Sequence, residues 1–227
     1  MTDARHTPRN PNGFAQRLLC LGLFCLTAQS TLAETVTVEV RDPAGAAIVG
    51  IAVYLEALDR EMPPGTNHAA VEILQQDKGF VPYIGVVQAG STVTFSNHDD
   101  ITHHIYSVTG NKRFSFNLRA HEISPEMTIE QAGLIAMGCN IHDWMSGHLL
   151  VVDSPYYGMT NARGQAVIEV GDAGRYRIVT WHPQVRESVQ KIVSLPALET
   201  VSLKLGQSLA AIPRQKGVDN FDFLEGY

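Results

Sequence analysis

The chain has 227 residues, 44% of them hydrophobic, with 17 Lys and Arg against 23 Asp and Glu and a formal net charge of −6. That apolar content is enough to bury an ordinary globular core, and the length suits one large or two small domains. The acidic balance disfavours nucleic acid as a partner and suits basic ones.

The first stretch carries Arg5, Arg9 and Arg17, then an apolar run from Leu18 to Thr27, then small residues ending Thr31-Leu32-Ala33. It reads as a secretory signal peptide over residues 1–33, cleaved after Ala33. The apolar run is shorter than the roughly 20 residues of a membrane span. The mature form is therefore expected to be exported, without a transmembrane segment. Cys20 and Cys25 leave with the signal, so Cys139 has no intramolecular partner. A lone exported cysteine suggests an intermolecular bridge, a reactive thiol or a metal ligand.

Residues 35–41 alternate as Thr-Val-Thr-Val-Glu-Val-Arg and predict a strand. Asp42-Pro43-Ala44-Gly45 predicts a turn, and 48–55 a second strand. Arg60-Glu61-Met62-Pro63-Pro64-Gly65 fits no regular element and reads as a linker. Strand signals then return at 71–75, 80–87 and 91–96 before a loop at 97–102, and at 105–108, 113–119, 127–131, 134–139 and 148–152 after it. Gly110-Asn111 predicts a tight hairpin turn. After Asp153-Ser154-Pro155, further strands are predicted at 165–170, 175–181, 188–195 and 200–205. Many short strands with turns at this spacing indicate an all-β sandwich or barrel. Residues 207–227 read as a loosely docked tail.

Gly138-Cys139-Asn140-Ile141-His142-Asp143-Trp144-Met145 places a thiol, an imidazole and a thioether at Cys-x2-His-x2-Met spacing. A soft thiolate, a histidine nitrogen and a weak thioether are the donors of a mononuclear blue-copper centre once a second histidine joins them. One loop cannot surround a metal, so that histidine is expected from a distant strand. The stretch 95–104 offers His103 and His104. Neighbours on an extended chain point to opposite faces, so one of the two can face the metal and the other cannot. The competing reading of Cys139 is an ordinary buried cysteine, and that of Met145 is core packing. His68, His98, His121 and His182 read as solvated surface residues, and so does His148, unless it approaches the site's surroundings. Trp144 and Tyr106 read as packing residues, with Trp144 placed to keep water from a metal.

These stretches resemble the cupredoxins, the blue-copper family of plastocyanin and amicyanin. The resemblance is carried by Asn97-x-Asp99, with His103 six positions after Asn97, and by Cys139, His142 and Met145. Phe80-Val81-Pro82, Phe95-x-Asn97-x-Asp99, His103-His104-x-Tyr106-Ser107 and the 139–145 loop are together similar to a bacterial cupredoxin-like group labelled methylamine utilization protein. The resemblance covers roughly residues 68–153. It implies a Greek-key β-sandwich, placed here at 66–153, that holds one type 1 copper alternating between Cu(I) and Cu(II). The implied ligands are His103, Cys139, His142 and Met145. It also implies that His104 gives its backbone N–H to the Cys139 sulfur, that Asn97 ties the two ligand loops together, and that the exposed edge of His142 is the electron's route. Asn140 completes the residues expected around the ligands. Asp143 departs from the proline often found at its place.

Residues 34–60 with 156–206 resemble a transthyretin-like or carboxypeptidase-regulatory-like sandwich. The carrying residues are Val38-x-Val40-x-Asp42-x-x-Gly45, Thr160-Asn161-Ala162-x-Gly164 and Gly174-Arg175-Tyr176-Arg177-Ile178. The copper module is then expected to be inserted in, or extended by, this second small sandwich, with Pro-containing boundaries typical of linkers.

A centre whose positions are all filled passes electrons but gives substrate nowhere to bind, since inner-sphere catalysis needs an open position. His-x-His pairs and protease or phosphate-loop patterns are missing from the sequence. The expectation is therefore not an enzyme but a periplasmic carrier of single electrons between redox proteins, a dehydrogenase and a cytochrome c type acceptor. The group label points to amine oxidation. The alternative is a copper-handling protein or a partner-binding module without electron transfer.

Overall fold

A computed structural model describes residues 34–63, 70–110, 112–196 and 200–210. All of them fall in one compact unit spanning residues 32–227. Residues 1–33, expected as a signal peptide, Pro64 and Gly65 of the expected linker, His68, Asn111 and the expected tail beyond Ala210 lie outside the described residues.

Every regular element among the described residues is a strand. β1 (Glu34–Arg41) and β2 (Ala52–Ala57) come first. β3 (Ala70–Gln76), β4 (Gly79–Val81), β5 (Ile84–Gln88) and β6 (Ser91–Asn97) lead to the first loop of the site. β7 (His103–Ser107), β8 (Phe114–Leu118), β9 (Met127–Ile129), β10 (Gly133–Cys139) and β11 (Ser146–Val152) follow it. β12 (Tyr157–Met159), β13 (Gln165–Val170), β14 (Gly174–Trp181), β15 (Gln190–Leu195) and β16 (Val201–Lys204) complete the set.

The strands form four sheets, ordered β13-β1-β16, β12-β2-β14-β15, β5-β11-β10-β7-β8 and β4-β3-β6-β9. The period-2 alternation of side chains assigns each face to a core. On β1, Val36, Val38 and Val40 enter a cluster shared with Ile168 of β13, Leu203 of β16, and Val53, Leu55, Tyr176 and Ile178 of the second sheet. The last two sheets enclose a separate cluster built on Ile73, Phe95, Ile105, Ile135, Met137, Cys139, Met145 and Leu149. Between the two sandwiches runs a thin apolar seam, where Leu150, Val152 and Val86 meet Ala52, Tyr54, Tyr157, Met159 and Trp181.

β11 explains why its sequence does not alternate. Leu149 and Val151 enter the core built on Ile73 and Phe95 while Leu150 and Val152 enter the seam, so both faces are buried. A strand covered on both sides reads as a continuous apolar run. Burying each such side chain stabilises the fold by roughly 1.5–3 kcal/mol, so β11 anchors both sandwiches at once.

Three local expectations are corrected. The strand expected at 80–87 is two strands, because Pro82 has no N–H to give a ladder. β12 follows Ser154-Pro155, where no alternation marks it, and pairs antiparallel with β2. His182, expected at the surface, is 2% exposed.

The site sits at one end of the β3–β11 sandwich. β6 ends at Asn97 in one sheet, and β10 ends at Cys139 in the facing one. Gly138 and Cys139 pair with Tyr106 and Ile105 of β7, and Gly138 pairs with Ser146 of β11. The loops 97–103 and 139–146 therefore emerge side by side.

Candidate metal centre

His103, Cys139 and His142 bring one ligand atom each to within 4.8 Å of one another. The sulfur lies 3.8 Å from His103 Nδ1 and 3.7 Å from His142 Nδ1. Metal–nitrogen and metal–thiolate bonds of about 2.0 and about 2.3 Å, as found at zinc, opened to the roughly 120° of a trigonal site, put the donor atoms about 3.7 Å apart. The three donors are thus spaced for one ion between them, and both imidazoles offer the same kind of nitrogen.

His103 is fully buried on β7. Its Nε2–H donates to Asp99 Oδ2 at 2.8 Å, which leaves the Nδ1 lone pair for the sulfur side. The hydrogen bond at one ring nitrogen sets the tautomer presented by the other. The sequence motif contained Asp99, but it carried no assigned role there. Its place four residues before His103 was the available signal.

His104 turns the other way, as strand alternation demands. Its Nδ1 accepts from Asn140 Nδ2 at 2.6 Å and its Nε2 lies 2.7 Å from Ser115 Oγ. Asn140 N–H also donates to the His104 carbonyl at 3.0 Å. The His104–Asn140 pair is therefore the tie between the two loops. Asn97, expected in that role, instead ties the first loop to the end of β8 and the residue after it. Its Nδ2 donates to the carbonyls of Ile101 (2.7 Å), Leu118 (3.1 Å) and Arg119 (2.9 Å), and its Oδ1 accepts the Asp99 N–H at 2.9 Å.

Met145 is buried beside Cys139 in the same core cluster. The loop closes on it: Cys139 N–H donates to the Met145 carbonyl at 3.2 Å, and Met145 N–H to the His142 carbonyl at 2.9 Å. His142 is half-buried. Its ring makes tilted contacts with those of His103 and Trp144, with centroids 5.1 and 5.3 Å away. Gly138 lets the Tyr106 ring lie against the strand, since a Cβ there would sit 2.9 Å from that ring.

Cys139 is 4% exposed and is the one free cysteine among the described residues. Burial pushes its thiol up. The imidazole of His103, the Ile141 N–H, the His142 imidazole and the His104 N–H outweigh burial and bring it down to about 6 from an ordinary 9.0. Burial pulls His103 down, but hydrogen bonds to Cys139 and Asp99 hold it above its usual value of 6.5. The pair favours a thiolate, which is the form that binds metal.

The remaining histidines stand apart from this group. His98 and His121 are exposed, the latter 3.2 Å from Asp100. His148 lies on the seam side of β11, its Nε2 3.4 Å from the Tyr83 hydroxyl and its ring edge-on to Trp181.

No protein-family model matches the chain, and no curated protein matches it. Among solved structures, the chain is similar to the Cu-containing nitrite reductase (NirK) from Thermus scotoductus SA-01, at 23% identity and TM-score 0.34, over 39% of this chain and 25% of that one. It is similar to a purple cupredoxin from Nitrosopumilus maritimus, at 25% identity and TM-score 0.32, over 35% of this chain and 97% of that one. It is also similar to a reduced tryptophan-to-tyrosine mutant of amicyanin, at 20% identity and TM-score 0.34, over 39% of this chain and 91% of that one. The chain spans about a quarter of the length of the nitrite reductase.

The fold is all-β, and the His103–Cys139–His142 cluster fits a type 1 copper site: two imidazole nitrogens, each at a distance from the thiolate sulfur that suits a shared ion. No helix among the described residues is long and apolar enough to cross a membrane.

Proposed function

We propose that this chain is an exported mononuclear type 1 copper protein that carries single electrons between redox proteins, with Met145 as the weak axial ligand. The observation that carries the reading is the donor spacing at Cys139, with His103 and His142 each about 3.7–3.8 Å from the sulfur. Copper bound there would supply a one-electron couple. The protein's own part is to hold the donors in one arrangement, so that little must move when the charge changes. Asp99 fixes the tautomer of His103, tilted ring contacts with His103 and Trp144 hold His142, and burial of Cys139 excludes water from the sulfur. The partly exposed His142 ring is the natural point for an electron to enter or leave. A dehydrogenase as donor and a cytochrome c type acceptor remain part of this proposal, as does the link to amine oxidation.

We also read residues 34–60 with 156–206 as a second sandwich into which the copper module, 66–153, is inserted; the separate apolar clusters support that division. A second functional reading is copper handling without redox partners.

The test is the protein loaded with Cu(II). The carrier reading expects an intense thiolate-to-copper charge-transfer band and a reversible one-electron couple. A colourless Cu(II) form overturns it, and a coloured form that loses metal on reduction supports the handling reading instead.

A further inference from the structure

The β3–β4 hairpin takes an unusual course. Asp77 and Lys78 at its turn both have positive φ, 53° and 56°, although neither is glycine. A two-residue hairpin loop takes this shape, but it favours Gly and Asn, and with residues that have longer side chains an outside contact helps to hold it. The contact is Asp99. Its Oδ1 accepts the Asp77 N–H at 2.7 Å, and its Oδ2 accepts the Lys78 N–H at 3.0 Å. The same Oδ2 accepts His103 Nε2–H at 2.8 Å.

One carboxylate thus joins a backbone turn in one sheet to a buried imidazole in the facing one. With both oxygens engaged by three N–H donors, it has a single orientation available. The His103 ring inherits that orientation, together with the Nε2–H tautomer that leaves Nδ1 facing Cys139. We propose that Asp99 is the positioning residue of the metal centre, and that the Asp77–Lys78 turn is the clamp that aims it. This rests on the copper reading above and adds to it the source of His103's rigidity.

The fit explains the residue types. An amide at position 99 has one acceptor oxygen and two N–H hydrogens, so it cannot accept from Asp77, Lys78 and His103 together without facing donor to donor. A glutamate is longer by a methylene and would move the oxygens off the turn. Alteration of a partner that orients a ligating histidine costs about tenfold to a hundredfold in metal affinity.

The experiment compares wild type, Asp99→Asn, Asp99→Ala and a variant with Gly-Gly replacing Asp77-Lys78. For each, Cu(II) affinity, the charge-transfer spectrum and the reduction potential are measured. Proton NMR of the Zn(II)-loaded protein follows the exchange of the His103 Nε2 proton. Asp99→Asn is expected to weaken Cu(II) binding about tenfold to a hundredfold, to raise the potential by removing a negative charge beside a ligand, and to speed exchange of the Nε2 proton. The Gly-Gly variant keeps the carboxylate and both N–H groups but frees the turn, so a few-fold loss with a broadened spectrum is expected. A blue wild type with Asp99→Asn and Asp99→Ala indistinguishable from it in affinity, spectrum and exchange overturns this proposal and leaves the copper reading intact. A wild type that gives no charge-transfer band overturns both. Near-ultraviolet circular dichroism of the metal-free variants separates loss of positioning from loss of fold. If Asp99→Ala fails to fold, the isosteric Asp99→Asn decides.

Discussion

The two loops that meet at the candidate centre are built on opposite plans. The first, 97–103, is braced by its own side chains against the rest of the fold: Asn97 makes four side-chain hydrogen bonds, two of them to Leu118 and Arg119 beyond the loop, and Asp99 holds both a distant turn and His103. The second, 139–146, is tied at its ends, through Cys139 to Met145 and through Asn140 to His104. The first fixes one donor in the interior. The second keeps Cys139 and Met145 buried and leaves only the His142 ring partly open. A centre assembled this way has a rigid wall and a compliant one. Stability is expected to respond to changes in the wall, and spectrum and affinity to changes in both.

Mutations can break this contrast, beginning with the largest effect. Cys139→Ala removes the thiolate outright; the charge-transfer band of the Cu(II) protein is expected to vanish completely, as read by visible absorption. Asn97→Ala strips the first loop of its brace. At about 0.5–1.5 kcal/mol for each buried hydrogen bond, denaturant unfolding of the metal-free protein should show a loss of about 2–4 kcal/mol. His142→Ala, which removes no buried hydrogen-bond brace of that kind, is expected to cost metal-free stability clearly less than Asn97→Ala, while the Cu(II) spectrum changes markedly. Equal losses of stability from Asn97→Ala and His142→Ala would erase the distinction between the loops.

Acidity sharpens it further. The Cys139 thiol of the metal-free protein should titrate near 6 rather than near 9, which thiolate absorbance in the ultraviolet measures directly. A lowered value in the folded state means that the stability it contributes is complete above the ordinary thiol range and is lost as pH falls through about 6. His103 acts with the opposite sign: its raised value contributes stability below 6.5 that is lost as pH rises through the raised value. Metal affinity should decline below about 6, where protons compete for the sulfur. The smallest effect expected is that of Trp144→Phe, which keeps an aromatic ring against His142 and should only shift the band slightly.

How much of this was legible beforehand depends on whether the information is local. The donors at Cys139, His142 and Met145 lie within seven residues, and their chemistry is readable from types and spacing alone. Strand alternation says that His103 and His104 part company, but not which faces the sulfur. That is decided by Asn140 and Ser115, which occupy His104. Asp99 lay inside the quoted motif, yet its role depends on Asp77 and Lys78, more than twenty positions away and in another element. Sheet partners were less legible still. The parallel pairings of β1 with β16, β3 with β6 and β5 with β11 join strands without a local turn to announce them. His182 looked like a surface residue because its burial comes from packing that no neighbour in sequence reveals.

The apolar seam has a bearing on access. Leu150, Val152 and Val86 spend one flank of the metal-bearing sandwich on its own neighbour, so that flank is permanently closed to visitors. On the proposed carrier reading, an approach to His142 would run over the loop tips, where Ile101 and Ile141 stand exposed, while the second sandwich works as a keel behind them.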